Sequence, residues 1–417
     1  MGFYRLLLTL LIPLLTLMGL TRVARGRETR ADFWQRMGVA PGGLETGARS
    51  IWLHAASMGE LASAESILRL MLARDPELHI LITTNSTTGR ALAQKWQLPR
   101  TQARLAPFDT RWAAKRLIRA WRIAGLVVME SELWPNRLRT VAQADLPVIV
   151  LGARLSRRTA RGWRRFTWIS RPLLADVRWL LPQDKGSRRR FRSLGLSGDR
   201  MGDVTNLKAL YTPSGRAGPD EALRNAFDRE STWLAASTHP GEDQMILKAH
   251  RIARESWPEL TLILAPRHVE RAEKIRGLAE ERGLDVAQRT RHETCETGGV
   301  YLADTMGEMP VFYELARICF VAGSLINRGG HTPFEPAAHG CALLHGPYTS
   351  NFREIYRRLD TSGGAFQAST SKDIADLLLE LRDGERRSSL AHRSAEICAQ
   401  SGSPEPIVAR ILSLIAA

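Results

Sequence analysis

Short runs that are apolar on both faces alternate along this chain with longer amphipathic stretches, and that alternation limits the fold more than any other feature. The first series comprises Ile51-Trp-Leu-His54, His79-Ile-Leu-Ile-Thr83, Gly125-Leu-Val-Val-Met-Glu130 and Leu146-Pro-Val-Ile-Val-Leu151. The second comprises Thr232-Trp-Leu-Ala-Ala236, Leu260-Thr-Leu-Ile-Leu-Ala265, Ile318-Cys-Phe-Val321 and Ala342-Leu-Leu-His345. Strands lacking a polar face need cover on both sides, and intervening helices such as Gly59 to Ala73 supply it, so the pattern predicts parallel sheets. Between the series lies Lys185 to Pro213, a basic stretch with Gly and Ser that fits a domain connection. The expected architecture is α/β, with two domains of similar size and a cleft between them.

At 417 residues the chain is long enough for two or three domains. Its 59 Lys and Arg against 43 Asp and Glu leave a net charge of +16, which predicts attraction to polyanions without saying which. Cys295, Cys319, Cys341 and Cys398 show neither CxxC spacing nor a paired His cluster, which argues against a zinc site and a disulfide scaffold.

Leu6 to Leu20 contains no charge and is flanked by Arg5 and by Arg22, Arg25 and Arg27. It is short for a span, which needs about 20 apolar residues, so an uncleaved anchor would cross a thinned bilayer or lie in one leaflet. A signal peptide and a buried core helix remain open. The arginines that follow put the bulk of the chain on the cytoplasmic side.

Four strand-end segments carry candidate chemistry. In His54-Ala-Ala-Ser-Met-Gly-Glu60 a strand meets a helix, and Glu60 reads either as a general base or as part of an S-x-x-E capping box with Ser57. In Val127-Val-Met-Glu-Ser-Glu-Leu-Trp-Pro-Asn136, alternation along a strand lets at most one of Glu130 and Glu132 face a shared site. Glu132 is favoured because Trp134, Pro135 and Asn136 fix the turn around it; the alternative is acidic residues at a helix N-terminus. Arg267, His268 and Arg271, near Thr238-His-Pro-Gly-Glu242 in the same domain, form a basic cluster suited to phosphate or carboxylate, or a solvated surface. In Phe320-Val-Ala-Gly-Ser-Leu-Ile-Asn-Arg-Gly-Gly-His-Thr-Pro-Phe-Glu-Pro336, Gly323, Ser324, Gly329 and Gly330 suit a phosphate cradle, with Glu335 accepting from vicinal hydroxyls.

The ordered segments RGRETRADFWQRMG, WLHAASMGE, MESELWPN, GARLS, NLK, ASTHPGE, APRHVER, DTMGEM, AGSLINRGGHTPFEPAAHG and GPYTSNF resemble the 3-deoxy-D-manno-octulosonic acid (Kdo) transferase family over nearly the whole chain. The resemblance implies a GT-B architecture of two Rossmann-like domains facing a cleft, preceded by a hydrophobic anchor helix. The expected divisions are 1–24 for the anchor, 25–212 for the acceptor domain and 213–417 for the nucleotide-sugar domain. It implies transfer of Kdo from CMP-Kdo to a lipid A precursor, lipid IVA, with inversion, no metal and no cofactor, at the cytoplasmic face of the inner membrane. By motif, Glu60 matches the general base and Glu132 a second acid. Arg267, His268, Gly323, Ser324, Gly330, Glu335 and Asn351 match the nucleotide-sugar side, and Ser57 and Gly59 flank the base on the acceptor side. The chain departs from the family at Ala322, where Gly is usual, at Thr332 and Gly152, where Asn is usual, and at Phe334, where Leu is usual.

A helix through Arg154, Arg158, Arg161 and Arg165 would carry a basic stripe beside Trp163, Phe166 and Trp168, extended by Arg188, Arg189, Arg190 and Arg192. It reads as a patch for lipid phosphates and an anionic membrane surface, or as a solvated face. Two other functions stay open: a GT-B transferase with a different sugar nucleotide or acceptor, and a basic nucleic-acid-binding protein. The second lacks a helix-turn-helix, zinc or RNP pattern, so no nucleic-acid partner is expected.

Overall fold

The computed structural model describes residues 2–39, 43–44, 48–130, 132–211, 213, 221–399 and 403–416. Two compact units form, Met1–Leu210 with Gly402–Ala417, and Tyr211–Ser401. In the first, β1 (Arg49–Ala55), β2 (Leu78–Thr84), β3 (Thr101–Leu105), β4 (Ile123–Met129), β5 (Val148–Ala153) and β6 (Trp179–Pro182) make one sheet in the order β3-β2-β1-β4-β5-β6. Every pairing is parallel; Trp52, for example, lies between Leu81 and Leu126. Separate buried clusters occupy the two faces, one with Ile51, Leu53 and Val127, the other with Trp52, Leu126 and Val128. This explains why the strands read as continuous apolar runs.

The second unit contains β7 (Thr232–Thr238), β8 (Thr261–Pro266), β9 (Val286–Gln288), β10 (Val300–Leu302), β11 (Ile318–Val321), β12 (Ala342–His345) and β13 (Phe366–Gln367). Their order is β13-β12-β11-β7-β8-β10-β9, again all parallel. The strand order reverses between β1 and β4 in the first sheet and between β7 and β11 in the second, where β9 and β10 are also exchanged at the edge; central reversals of this kind are where open parallel sheets bind ligands. All four cysteines are free and buried, and burial raises the Cys341 thiol to about 12, so they act as small apolar side chains.

The domain division needs one correction. The second domain was expected to run to residue 417, but Glu405–Ala416 is a helix of the first unit, with Ile407, Val408, Ile411 and Ile415 buried in the same cluster as Ile51 and Val127. Gly125 makes room for it, since a Cβ there would meet Ile415 Cγ2 at 2.8 Å. Thr212, the last residue of the expected first domain, lies outside the described residues.

The N-terminal segment is a helix, Gly2–Ala24, with Pro13 inside it. Tyr4 donates its hydroxyl to Asp109 at 2.8 Å, and Gly19 packs on Phe33, where a Cβ would come within 2.7 Å. Both ends therefore touch the first unit, and the helix lies along it. No helix among the described residues is long and apolar enough to cross a membrane, so the spanning form of the expected anchor is not supported. Leu10, Leu14 and Leu17, spaced to share one face, are each more than half exposed.

Truncating the terminal helix's core contact tests the unit boundary. Ile411→Ala should destabilise the first unit by about 2–5 kcal/mol through cavity formation. Hydrogen exchange should quicken at β4 amides and not at β7 amides.

Candidate functional site

Glu60 follows the end of β1 in the short helix Met58–Ala62. Ser57 is its N-cap and accepts from Glu60 N at 3.3 Å, while the Glu60 carboxylate accepts from Ala56 N at 2.8 Å and from the Ser57 hydroxyl at 3.1 Å. These bonds realise a capping arrangement and also fix the carboxylate on the wall of a pocket that includes Glu130, Gly152, Gln183 and Lys208. Gly59 leaves open space where a Cβ would stand, so a ligand can approach this turn closely. Burial raises the Glu60 carboxyl above its ordinary range, and the nearby charges of Glu130 and Glu132 raise it further, against the Ala56 and Ser57 hydrogen bonds.

Glu132 has a different environment. Its Oε2 accepts from Trp134 Nε1 at 2.7 Å and from Asn85 Nδ2 at 3.4 Å, and lies 3.7 Å from the buried His54 Nε2, which has no hydrogen-bond partner among the described residues. The His54 ring, the Trp134 indole and the Arg137 guanidinium hold the Glu132 carboxyl down at about 2, against the opposing effect of burial. Burial and Arg137 lower His54 to about 4, so the ring is neutral at pH 7. Arg137 is buried over the Trp52 ring at 5.3 Å. Asp109 accepts from Asn136 N and Arg137 N at 2.9 and 2.7 Å and thereby caps helix Pro135–Ala142, since the N-cap Trp134 offers no oxygen.

The alternation argument for the two acids fails because β4 ends at Met129 and Glu130 takes a left-handed conformation, φ 53°. Glu130, passed over for Glu132 because of the turn residues Trp134, Pro135 and Asn136, lines the Glu60 pocket. Sequence reasoning had no signal for that backbone state. Gly152, another pocket residue, has φ 64°, and its Cβ position is 3.0 Å from Leu207 Cδ1. Asn, the usual residue there in the resembling family, is among the few side chains that tolerate this conformation.

In the second unit, His239 follows β7 and stacks on His331 with ring centroids 5.1 Å apart and Nε2 atoms 2.9 Å apart. His268 meets His239 edge-on. Burial lowers His239, and Arg328, His268, Arg271 and Arg267 lower it further. Arg271 is committed to Thr238 O and Asp243. Arg267 and Arg328 are exposed and have no side-chain partner among the described residues. His239, His331 and Arg328 were quoted in motifs but missed as site members; their position after the two strands at the order reversal was the available signal.

The expected cradle takes a different form. The N–H groups of Gly323, Ser324 and Leu325 all donate to the buried Glu242 carboxylate, at 2.8, 3.0 and 3.0 Å, as does His239 N at 3.0 Å. Ser324 Oγ donates to Val321 O and accepts from Gly346 N, so Gly323 and Ser324 are spent on an internal anion. Gly330 N bonds Gly323 O, and Asn351 Nδ2 donates to Arg328 O and Gly330 O, which makes Asn351 a brace of the glycine loop. Glu335 lies in the first turn of helix Phe334–Ala338.

The arginine stripe is also shifted. Ser156 caps a helix that begins at Arg157, so Arg154 is outside it, and the groove beside it is lined by Arg157, Arg161 and Arg164 with Arg189 and Arg190, not by Arg158 or Arg165.

Residues 31–210 match the family model described as 3-Deoxy-D-manno-octulosonic-acid transferase (kdotransferase). The chain is 31% identical to the 3-deoxy-D-manno-octulosonic acid transferase of Haemophilus influenzae over 95% of its own length and 94% of that protein. It is 30% identical to the one of Bordetella pertussis, with 91% of each covered. The fold is similar to UDP-GlcNAc 2-epimerase from Neisseria meningitidis and to a putative UDP-N-acetylglucosamine 2-epimerase from Listeria monocytogenes. Both give a TM-score of 0.59 and cover 88% of this chain, with 100% and 96% of the other chain and 12% and 14% identity, respectively.

The two acids should titrate apart. Carbon-13 NMR of labelled glutamate should find Glu60 above and Glu132 well below the ordinary glutamate range, and Trp134→Phe should raise Glu132 by removing a donor to its ionised form. Coincident titrations would contradict the assigned environments.

Proposed function

Since the chain belongs to the 3-deoxy-D-manno-octulosonic acid transferase family and is a glycosyltransferase, we propose that it transfers Kdo from CMP-Kdo to a lipid A precursor, lipid IVA, with inversion. The observation that carries this reading is the Glu60 carboxylate, which lines a pocket at the order reversal of the first sheet and is raised by burial and two acidic neighbours. A raised carboxylate is a better proton acceptor than an ordinary one.

In this mechanism an acceptor hydroxyl attacks the anomeric carbon while the bond from that carbon to the CMP phosphate oxygen breaks. CMP leaves with the electron pair, and the hydroxyl proton passes to Glu60. Glu132, held ionised by its donors, raises Glu60 electrostatically and carries no proton itself. Arg267 and Arg328, both exposed beside the histidine pair, are the groups to receive the charge of the donor and the departing phosphate, so the reaction as proposed asks for no metal or cofactor. We place the protein at an anionic inner-membrane surface on the cytoplasmic side. Its N-terminal helix would lie in the interface, supported by the exposed Leu10, Leu14 and Leu17 and by the exposed Trp34 and Trp112.

Glu60→Gln keeps an acceptor oxygen for Ala56 N–H but loses the base, so transfer should fall by about 10²-fold or more with CMP binding nearly unchanged. Activity above about a tenth of wild type would return Glu60 to capping alone. In wild type, kcat/KM should fall as pH drops through the raised Glu60 pKa, because protonation removes the base. Glu130→Gln removes one of the charges that raise it and should move that acid limb to lower pH; an unmoved limb would show that another group sets it.

A further inference from the structure

A groove of about 580 Å³ between helices Arg157–Arg165 and Lys185–Ser193 is lined by Arg157, Arg161, Arg164, Arg189 and Arg190 and by no carboxylate. Positions 157, 161 and 164 share one helix face, and the second helix supplies the facing pair. Arg157, Arg161, Arg164 and Arg189 have no side-chain partner among the described residues. Arg190 is offset by Asp184, 3.6 Å away, but the other four guanidinium groups have no counter-charge among the described residues and repel one another, so the arrangement favours an anion between them.

The groove is built from internal bonds and needs no ligand to form. Asp184 accepts from Ser187 N at 2.7 Å and from its hydroxyl at 2.8 Å, and the buried Ser187 Oγ accepts from Leu155 N at 3.0 Å. Arg190 Nε donates to Leu155 O at 2.5 Å. These bonds tie the second helix to the backbone just before the first, holding the two walls together. Gly186 is part of the device: a Cβ there would stand 2.9 Å from Arg190 Nη1. Arg190 can lie over this turn because position 186 has no side chain.

The class of anion follows from donor number and location. Several guanidinium forks suit a phosphomonoester, which presents three acceptor oxygens, better than a lone carboxylate. Both helices start at the carboxyl ends of β5 and β6, and Gly152 and Gln183 at those ends line the Glu60 pocket. The groove therefore opens from the same sheet edge as the proposed base. Phe166 and Trp168, at the far end of the first helix, are half exposed and offer apolar surface to an amphiphile. We infer that the groove is a subsite for a phosphomonoester of the acceptor glycolipid, held while a sugar hydroxyl is presented at Glu60. This rests on the acceptor reading given above.

Arg161→Ala/Arg164→Ala tests it without disturbing the bonds that tie the walls. With the bisphosphorylated acceptor, KM should rise about tenfold or more, the loss of one or two charge-assisted hydrogen bonds, while the KM for CMP-Kdo is unchanged. An acceptor dephosphorylated by phosphatase should be equally poor for wild type and variant. Equal losses on both acceptors, or no loss on either, would overturn the proposal, as would activity that falls in step with lost binding to phosphatidylglycerol vesicles. Calorimetric titration of inorganic pyrophosphate, with CMP saturating the donor side, should show binding by wild type and about tenfold weaker binding by the variant. This arm needs no turnover: if no glycolipid accepts Kdo, the acceptor reading falls, while equal pyrophosphate binding by the two proteins removes the groove itself.

Discussion

Within each sheet every strand points the same way, so each unit has a single carboxyl edge, and the candidate chemistry of each unit collects there. Parallel strands require crossover connections, and in the first unit these begin with polar caps: Ser57, Ser86, Ser156 and Asp184 each accept a backbone N–H at a helix start. An edge made of helix N-termini has an excess of outward-pointing donors and a favourable field for anions. The order reversal then separates the loops after β1 and β4 from competing connections, leaving room for Glu60, Glu130 and Glu132.

The two edges handle charge in opposite ways. The first concentrates three acids, one of which is raised by burial and secondarily by the other two, while donors from Trp134 and Asn85 stabilise another in its ionised form. The second brings histidines and arginines together and stabilises a carboxylate inside the loop. Glu242 is pushed upward by burial and held back by four backbone donors, so its place among those donors is what makes the buried acid tolerable. It satisfies N–H groups that would otherwise be orphaned in the turn after β11, and it shapes that turn through residues 81 to 83 positions away.

What the sequence revealed follows from which forces are local. Central strands such as β1, β4, β7 and β11 are buried on both faces, so their apolar runs are unmistakable. The short strands β9, β10 and β13, of two or three residues, carry too little pattern to stand out. The placement of Glu60 was legible because a polar cap after an apolar strand is a local motif, and the capping bonds are the ones that set its carboxylate on the pocket wall. The role of Gly323 and Ser324 was not, because the group that fills their N–H nest comes from a distant helix. Likewise, the terminal helix advertises an apolar face but not the partner it packs against. The arginine stripe was misaligned because Ser156 sets the helix start, and a start three residues later changes which arginines share a groove.

The net charge of +16 divides by the same criterion of local partners. Arg36 with Glu28, Arg90 with Asp32 and Arg139 with Asp176 are arginines matched to acids that are largely buried, and they hold the first unit together. The helix Arg157–Arg165 carries five arginines and no acid, and the helix Lys185–Ser193 adds four arginines and a lysine. Their charges cannot be structural counter-ions to anything within their own helices. At physiological salt their field decays over about 8 Å, so it acts on what reaches the groove rather than on distant polyanions. A diffuse nucleic-acid role would be served by cations spread over the surface. Concentration of unmatched arginines beside one sheet edge instead favours a compact, multiply charged ligand bound next to the proposed base.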